Sequence, residues 1–114
     1  MSTAFETEYA HLDLAQVPSI KVPPPGPKSK ALHARCTKHF KGLSGQVKLF
    51  PVAFESGKGC ELVDADGNRY IDFSSGIYVT TLGHCHPKVT EAVRKYAGLL
   101  MNAHDFTTEI KTRL

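Results

Sequence analysis

The chain has 114 residues, 41% of them hydrophobic and 22% charged, which is enough for one globular domain and no more. No apolar run approaches the 18 residues or so that a membrane-spanning helix needs. The opening residues carry Glu6, Glu8 and Asp13 with no Lys or Arg, which excludes a secretory signal and argues against an acid-poor mitochondrial leader, so a cytoplasmic protein is expected. Cys36, Cys60 and Cys85 are odd in number and irregular in spacing, as in reduced thiols rather than a disulfide framework.

Residues 1–27 read as an arm. Five of the seven prolines, Pro18, Pro23, Pro24, Pro25 and Pro27, lie within it. Successive prolines fix φ and offer no N–H, so this piece is extended and polyproline-like, neither helix nor central strand. A helix is predicted to start near Ser29 as its N-cap, with Leu32, Cys36, Phe40 and Leu43 on one apolar stripe and Gly42 and Gly45 ending it. Residues 14–54 contain no acid but hold Lys21, Lys28, Lys30, Arg35, Lys38, Lys41 and Lys48. Such a block is either a nucleic-acid footprint or a solvated or partner-facing surface. The isoelectric point near 8.8 falls short of the value above about 9 that marks a nucleic-acid-binding domain, so no nucleic acid is expected.

From residue 50 the period changes. "PVAFES", "CELVDA" and "RYIDF" are short and rich in strand formers. The first two are joined by "SGKG" and the last two by "DADGN", whose Asp-Gly-Asn is a hairpin signal. A three-stranded antiparallel meander is predicted, flanked by helices that cover a face. The linker "SSGIYVTTLGHCHP" follows. Pro87 then opens a helix through "PKVTEAVRKYAGLLMNA", with Val89, Ala92, Val93, Tyr96, Ala97 and Leu100 as its apolar stripe. Glu109, Ile110 and Leu114 read as the first turns of another helix, cut before any cap, as in a truncated chain. The fold class is therefore an α+β fragment: helix, meander, helix.

Two clusters have metal-ligating residue types: His84, Cys85 and His86, and His33, Cys36 and His39. Adjacent residues rarely turn three side chains onto one ion, and the helical set lacks a fourth ligand, so no metal is expected. Gly83 then makes a turn, His86 caps the helix, and Cys85 is a small buried hydrophobe. Gly57-Lys58-Gly59 lacks the pattern of a phosphate loop. Cys85 beside His84 or His86 shows no third group to orient a nucleophile pair.

The span "PVAFESGKGCELVDADGNRYIDFSSGIYVTTLGHCHPKVTEAV" resembles the N-terminal part of class III pyridoxal-phosphate aminotransferases, which include the 4-aminobutyrate, acetylornithine and ornithine enzymes. The resemblance rests on Pro51, Gly57 and Gly59, "DADGNRYIDF", Ser-Gly-Ile at 75–77 and "GHCHP" at 83–87, and covers roughly residues 45–105. It implies the N-terminal part of a fold-type I enzyme whose full fold is α/β. Residues 1–27 would be its arm, and residues 28–114 the start of its small domain, ahead of the large cofactor-binding domain. The implied reaction moves an amino group from an amino acid or ω-amino compound to a 2-oxo acid, with pyridoxal 5'-phosphate bound by the full-length homodimer. By position Ile77 resembles the residue that packs over the substrate, and Tyr78 its pocket neighbour. Val47 stands where ornithine-type enzymes have a substrate-contacting Tyr, a departure that speaks against ornithine-like recognition. "GHCHP" would hold this step in place. No lysine sits in the Schiff-base context, so no catalytic or cofactor-binding residue is expected here and the fragment alone should be inactive. The alternative is a non-catalytic interaction module that uses the Pro-rich arm and the basic helix.

Overall fold

A computed structural model describes residues 14–39, 45–102 and 104–113. A 3₁₀ turn at Leu14–Gln16 leads into the extended arm and helix α1, Pro27–His39. A short helix α2, Gly45–Leu49, precedes strands β1, Phe54–Lys58, β2, Glu61–Asp64, and β3, Arg69–Ile71. A single turn at Ser75–Tyr78, helix α3 at Pro87–Ala97 and a 3₁₀ turn at Lys111–Arg113 complete the chain. The sheet is an antiparallel meander in the order β1-β2-β3.

The meander is the predicted one, but its first strand is shifted. Lys58 pairs with Glu61, so Gly59 and Cys60 make a two-residue turn and "SGK" belongs to β1. Gly59 has φ +57°, the left-handed value such a turn requires. Gly57 lies inside the strand, paired with Leu62, and a Cβ there would come within 2.9 Å of Leu62 Cδ2 and 3.0 Å of His84 Cγ, so the position suits glycine. Helix α2 has no counterpart in the sequence reading. Helix α3 stops at Ala97, short of the predicted end, and residues 111–113 form a 3₁₀ turn where an α-helical start was expected; Leu114 of that expectation lies outside the described residues. Phe40 and Leu43 of the predicted α1 stripe lie outside the described residues.

The packed centre is polar. Among the described residues the buried apolar side chains are Val17 and Ala65, whereas Ser29, Glu61, Asp64, Asn68 and His86 are buried polar ones. The β2–β3 turn organises them. Asp64 Oδ1 accepts the N–H of Asp66 and of Asn68, and its Oδ2 accepts from Asn68 Nδ2 and the Tyr70 hydroxyl. Asn68 reaches across to the arm: its Oδ1 accepts the N–H of Lys21 and Val22, at 2.7 and 2.8 Å, and its Nδ2 donates to Val22 O. Ser19 exchanges two backbone hydrogen bonds with Arg69, each 2.9 Å. The arm is thereby fastened to the hairpin.

The same turn caps α1. Ser29 is not the N-cap; it is buried in the first turn of a helix that begins at Pro27. The Asp66 carboxylate accepts the N–H of Lys28 and of Ser29, at 2.8 and 2.9 Å. A carboxylate there satisfies free donors and favours the positive end of the helix dipole. The cap comes from nearly forty positions down the chain, which local sequence cannot reveal.

Glu61 receives a two-pronged hydrogen bond from Arg69, at 2.8 and 2.7 Å, and this holds its carboxyl below the ordinary 4.5 against an upward push from burial. Burial raises Asp64, but donors from Tyr70, Asn68 and the Asp66 amide outweigh it and leave the group below 3.8. A carboxyl lowered in the fold binds fewer protons than in the unfolded chain, so stability rises with pH through the window between the two values. The expected result is stability fully present above about pH 4.5 and progressively lost below it as these groups protonate. Urea midpoints measured from neutral pH down to about pH 2 test this. A midpoint that does not fall in acid would contradict it.

Candidate functional site

The loop from Asp72 to His86 carries the residues singled out in the sequence. Asp72 follows β3, and its Oδ1 accepts the N–H and hydroxyl of Ser74, at 2.8 and 2.9 Å, and the N–H of Ser75 at 3.1 Å. A short aspartate side chain that takes up local amides starts a turn. From Ser75 onward four consecutive residues have positive φ: Ser75 +48°, Gly76 +58°, Ile77 +61° and Tyr78 +65°. Tyr78 N–H donates to Ser74 O, and Val79 and Thr80 N–H both donate to Ser75 O. Together they form one left-handed turn. Such a turn costs roughly 1–2 kcal/mol for each residue bearing a Cβ, and a β-branched residue there is an outlier. Backbone strain of this kind clusters at binding and catalytic sites.

The turn presents its side chains outward. Ile77 is 69% exposed and Tyr78 83% exposed, so neither is core beneath the meander. Phe73 and Val79 on either side are exposed as well. Val47 stands on α2, ahead of β1, and is also exposed. An adjoining groove of about 350 Å³ runs from residues 79–83 to Val89 and Val93 of α3; neither Ile77, Tyr78 nor Val47 lines it.

The Gly-His-Cys-His-Pro run closes the loop. His84 exchanges backbone hydrogen bonds of 3.0 and 2.8 Å with Gly59, which ties it to the β1–β2 turn. Its Nε2 lies 2.6 Å from Asp72 Oδ2. Burial raises the Asp72 carboxyl, but hydrogen bonds from His84, Ser74 and Ser75 carry it below 3.8. Gly83, at φ +92°, makes the predicted turn. Cys85 is exposed with φ +53°, not the buried hydrophobe expected. His86 is buried at the N-cap of α3; its carbonyl accepts the Thr90 N–H, while its side chain makes no capping bond. Among the described residues no three His, Cys, Asp or Glu side chains are gathered as a metal site.

Sequence reasoning placed Ile77 and Tyr78 on a non-helical step but missed what holds it. Asp72 was read as part of the third strand and His84 as a metal-ligand type, because the contact between positions 72 and 84 arises only in the folded loop.

A family model of class-III aminotransferases matches residues 43–111. The acetylornithine aminotransferase of Methanocaldococcus jannaschii is 52% identical over 52 residues, covering 46% of this chain and 13% of that protein. The alanine/serine racemase of Pyrococcus horikoshii is 39% identical over 90 residues, covering 79% of this chain and 19% of that one. A solved transaminase with PLP bound is 30% identical with a TM-score of 0.63, over 75% of this chain and 21% of its own. The chain thus spans a fifth or less of the length of these curated relatives. The matched span takes in the whole meander, the left-handed turn, the His84 closure and helix α3, and with it the chain belongs to the class-III aminotransferase family.

Proposed function

We propose that these residues serve a longer PLP-dependent transaminase, in which the left-handed turn forms part of the substrate side of the active site. The observation that carries this reading is the strained turn that holds Ile77 and Tyr78 outward, an apolar side chain and a phenol suited to a pocket wall. The reaction is transfer of an amino group from an amino acid or ω-amino compound to a 2-oxo acid. Val47 contributes a small apolar surface to the same substrate side. The enzyme works as a cytoplasmic homodimer.

The family and the PLP-bound relative support pyridoxal 5'-phosphate as cofactor. The residues described here do not fit it by themselves. Schiff-base chemistry needs a lysine held in a pocket, whereas each of the nine described lysines is exposed. No step is therefore assigned to residues of this span; their part is to bind and orient the amino donor. The Pro-rich arm is poorly suited to the alternative of an interaction module, since the backbone of Ser19, Lys21 and Val22 is already engaged by Arg69 and Asn68.

The test uses the complete protein with PLP and a set of amino donors of increasing chain length. Amino transfer is expected. Ile77→Ala should change kcat/KM between short and long donors by roughly 10–200-fold while leaving the thermal midpoint nearly unchanged. Absence of amino transfer, or an unchanged donor ranking with a large fall in midpoint, would overturn the reading.

A further inference from the structure

We propose that Asp72 and His84 are a positioning pair that sets the direction in which the left-handed turn presents Ile77 and Tyr78. The inference rests on the reading that this turn faces the substrate.

Asp72 uses its two oxygens for different ends of one loop. Oδ1 gathers three donors at the start of the turn, from Ser74 and Ser75. Oδ2 meets His84 Nε2 where the loop returns to the sheet. Residues 73–83, including the whole left-handed turn, are thus closed at their base by one carboxylate–imidazole contact. Its side chains are 5% and 19% exposed, so water competes with it little.

The pair is also fastened to the rigid part of the molecule. His84 exchanges backbone bonds with Gly59, and its ring packs where Gly57 has no Cβ. Asp72 N–H donates to Cys60 O, at 2.8 Å, in the same β1–β2 turn. Both members therefore take their position from the hairpin and pass it to the turn. Without the imidazole to hold Oδ2, Asp72 can rotate and release the amides of Ser74 and Ser75. The four residues with positive φ then have little to oppose their relaxation. Neither member projects with Ile77 and Tyr78, so the pair acts through the turn and not on the reacting atoms.

The experiment uses the full-length enzyme loaded with its cofactor. KM and kcat for one short and one long amino donor are measured with thermal midpoints in parallel. Asp72→Asn and His84→Ala are expected to raise KM for at least one donor roughly tenfold or more, the scale of a small misplacement at a site, and to alter the short-to-long ratio. His84→Gln, whose amide can still donate to Asp72, is expected to recover most of that loss. Should His84→Ala fail to fold, Ser74→Ala decides: it removes only the exposed hydroxyl donor and should move the donor ratio the same way by less. A fall in midpoint with unchanged KM and donor ratio would make the pair scaffolding only and overturn the proposal. The failure of the two readings can be told apart. If Ile77→Ala shifts the ratio and the pair variants do not, the turn faces substrate but the pair does not aim it. If none of these variants shifts the ratio, the substrate reading itself fails and the pair falls with it.

Discussion

Asn68→Ala is expected to lower the stability of the protein by about 2–3 kcal/mol, since it removes several hydrogen bonds made by a buried side chain, although the part-buried arm groups it served regain water. Asn68 is fully buried and joins four groups at once: the N–H of Lys21 and Val22, the carbonyl of Val22 and the carboxylate of Asp64. Alanine strips three backbone groups of the arm and cannot replace them. Asp64 keeps Tyr70 and the two turn amides, so the hairpin itself should survive. The loss should therefore appear first as release of the arm. Urea unfolding gives the magnitude, and faster tryptic cleavage after Lys21 reports the release. A loss below about 1 kcal/mol with unchanged cleavage would mean that the arm is held by something other than Asn68.

Gly26→Ala is expected to cost about 2–4 kcal/mol, combining loss of a helix cap with local overpacking. A Cβ at this position would lie 2.3 Å from Asp66 Cγ and 2.6 Å from both carboxylate oxygens. Asp66 would have to swing away, leaving the first amides of α1 without their acceptor. A double-mutant cycle tests the cause. Once Asp66→Ala has removed the carboxylate, adding Gly26→Ala should cost little more, because both changes abolish the same cap. Full additivity in urea midpoints would show that the alanine harms something else.

What the sequence disclosed and what it concealed divide by distance along the chain. The meander was legible because its signals are local: short runs of β-formers separated by turn residues, with Asp66-Gly67-Asn68 at the second reversal; the first turn, expected over residues 56–59, lies at Gly59-Cys60. The start of α3 was legible for the same reason, with Pro87 at the first helical position. The cap of α1 was misassigned to Ser29 because the true acceptor, Asp66, is remote in sequence. Cys85 was expected to be buried on residue type alone, yet the positive φ that turns the chain from His84 to His86 leaves it exposed. At the candidate site, the family pattern pointed to Ile77 and Tyr78, whereas propensity gives no reason to place a β-branched residue in the left-handed region. Asp72 and His84, whose contact closes that loop, stand 12 positions apart, beyond the reach of a local propensity pattern.

The pairing of Ser19 with Arg69 has a consequence for self-association. The outer edge of a terminal strand displays unpaired N–H and C=O groups, and a second molecule can add its own strand there, the first step toward fibrous aggregates. At the Arg69 end of β3 that place is taken by the arm. Pro18, next to Ser19, and the prolines from Pro23 onward have no N–H to offer an incoming strand. The segment that meets the edge is thus a poor template in its turn, and at Arg69 the β3 side is occupied by a piece of its own chain.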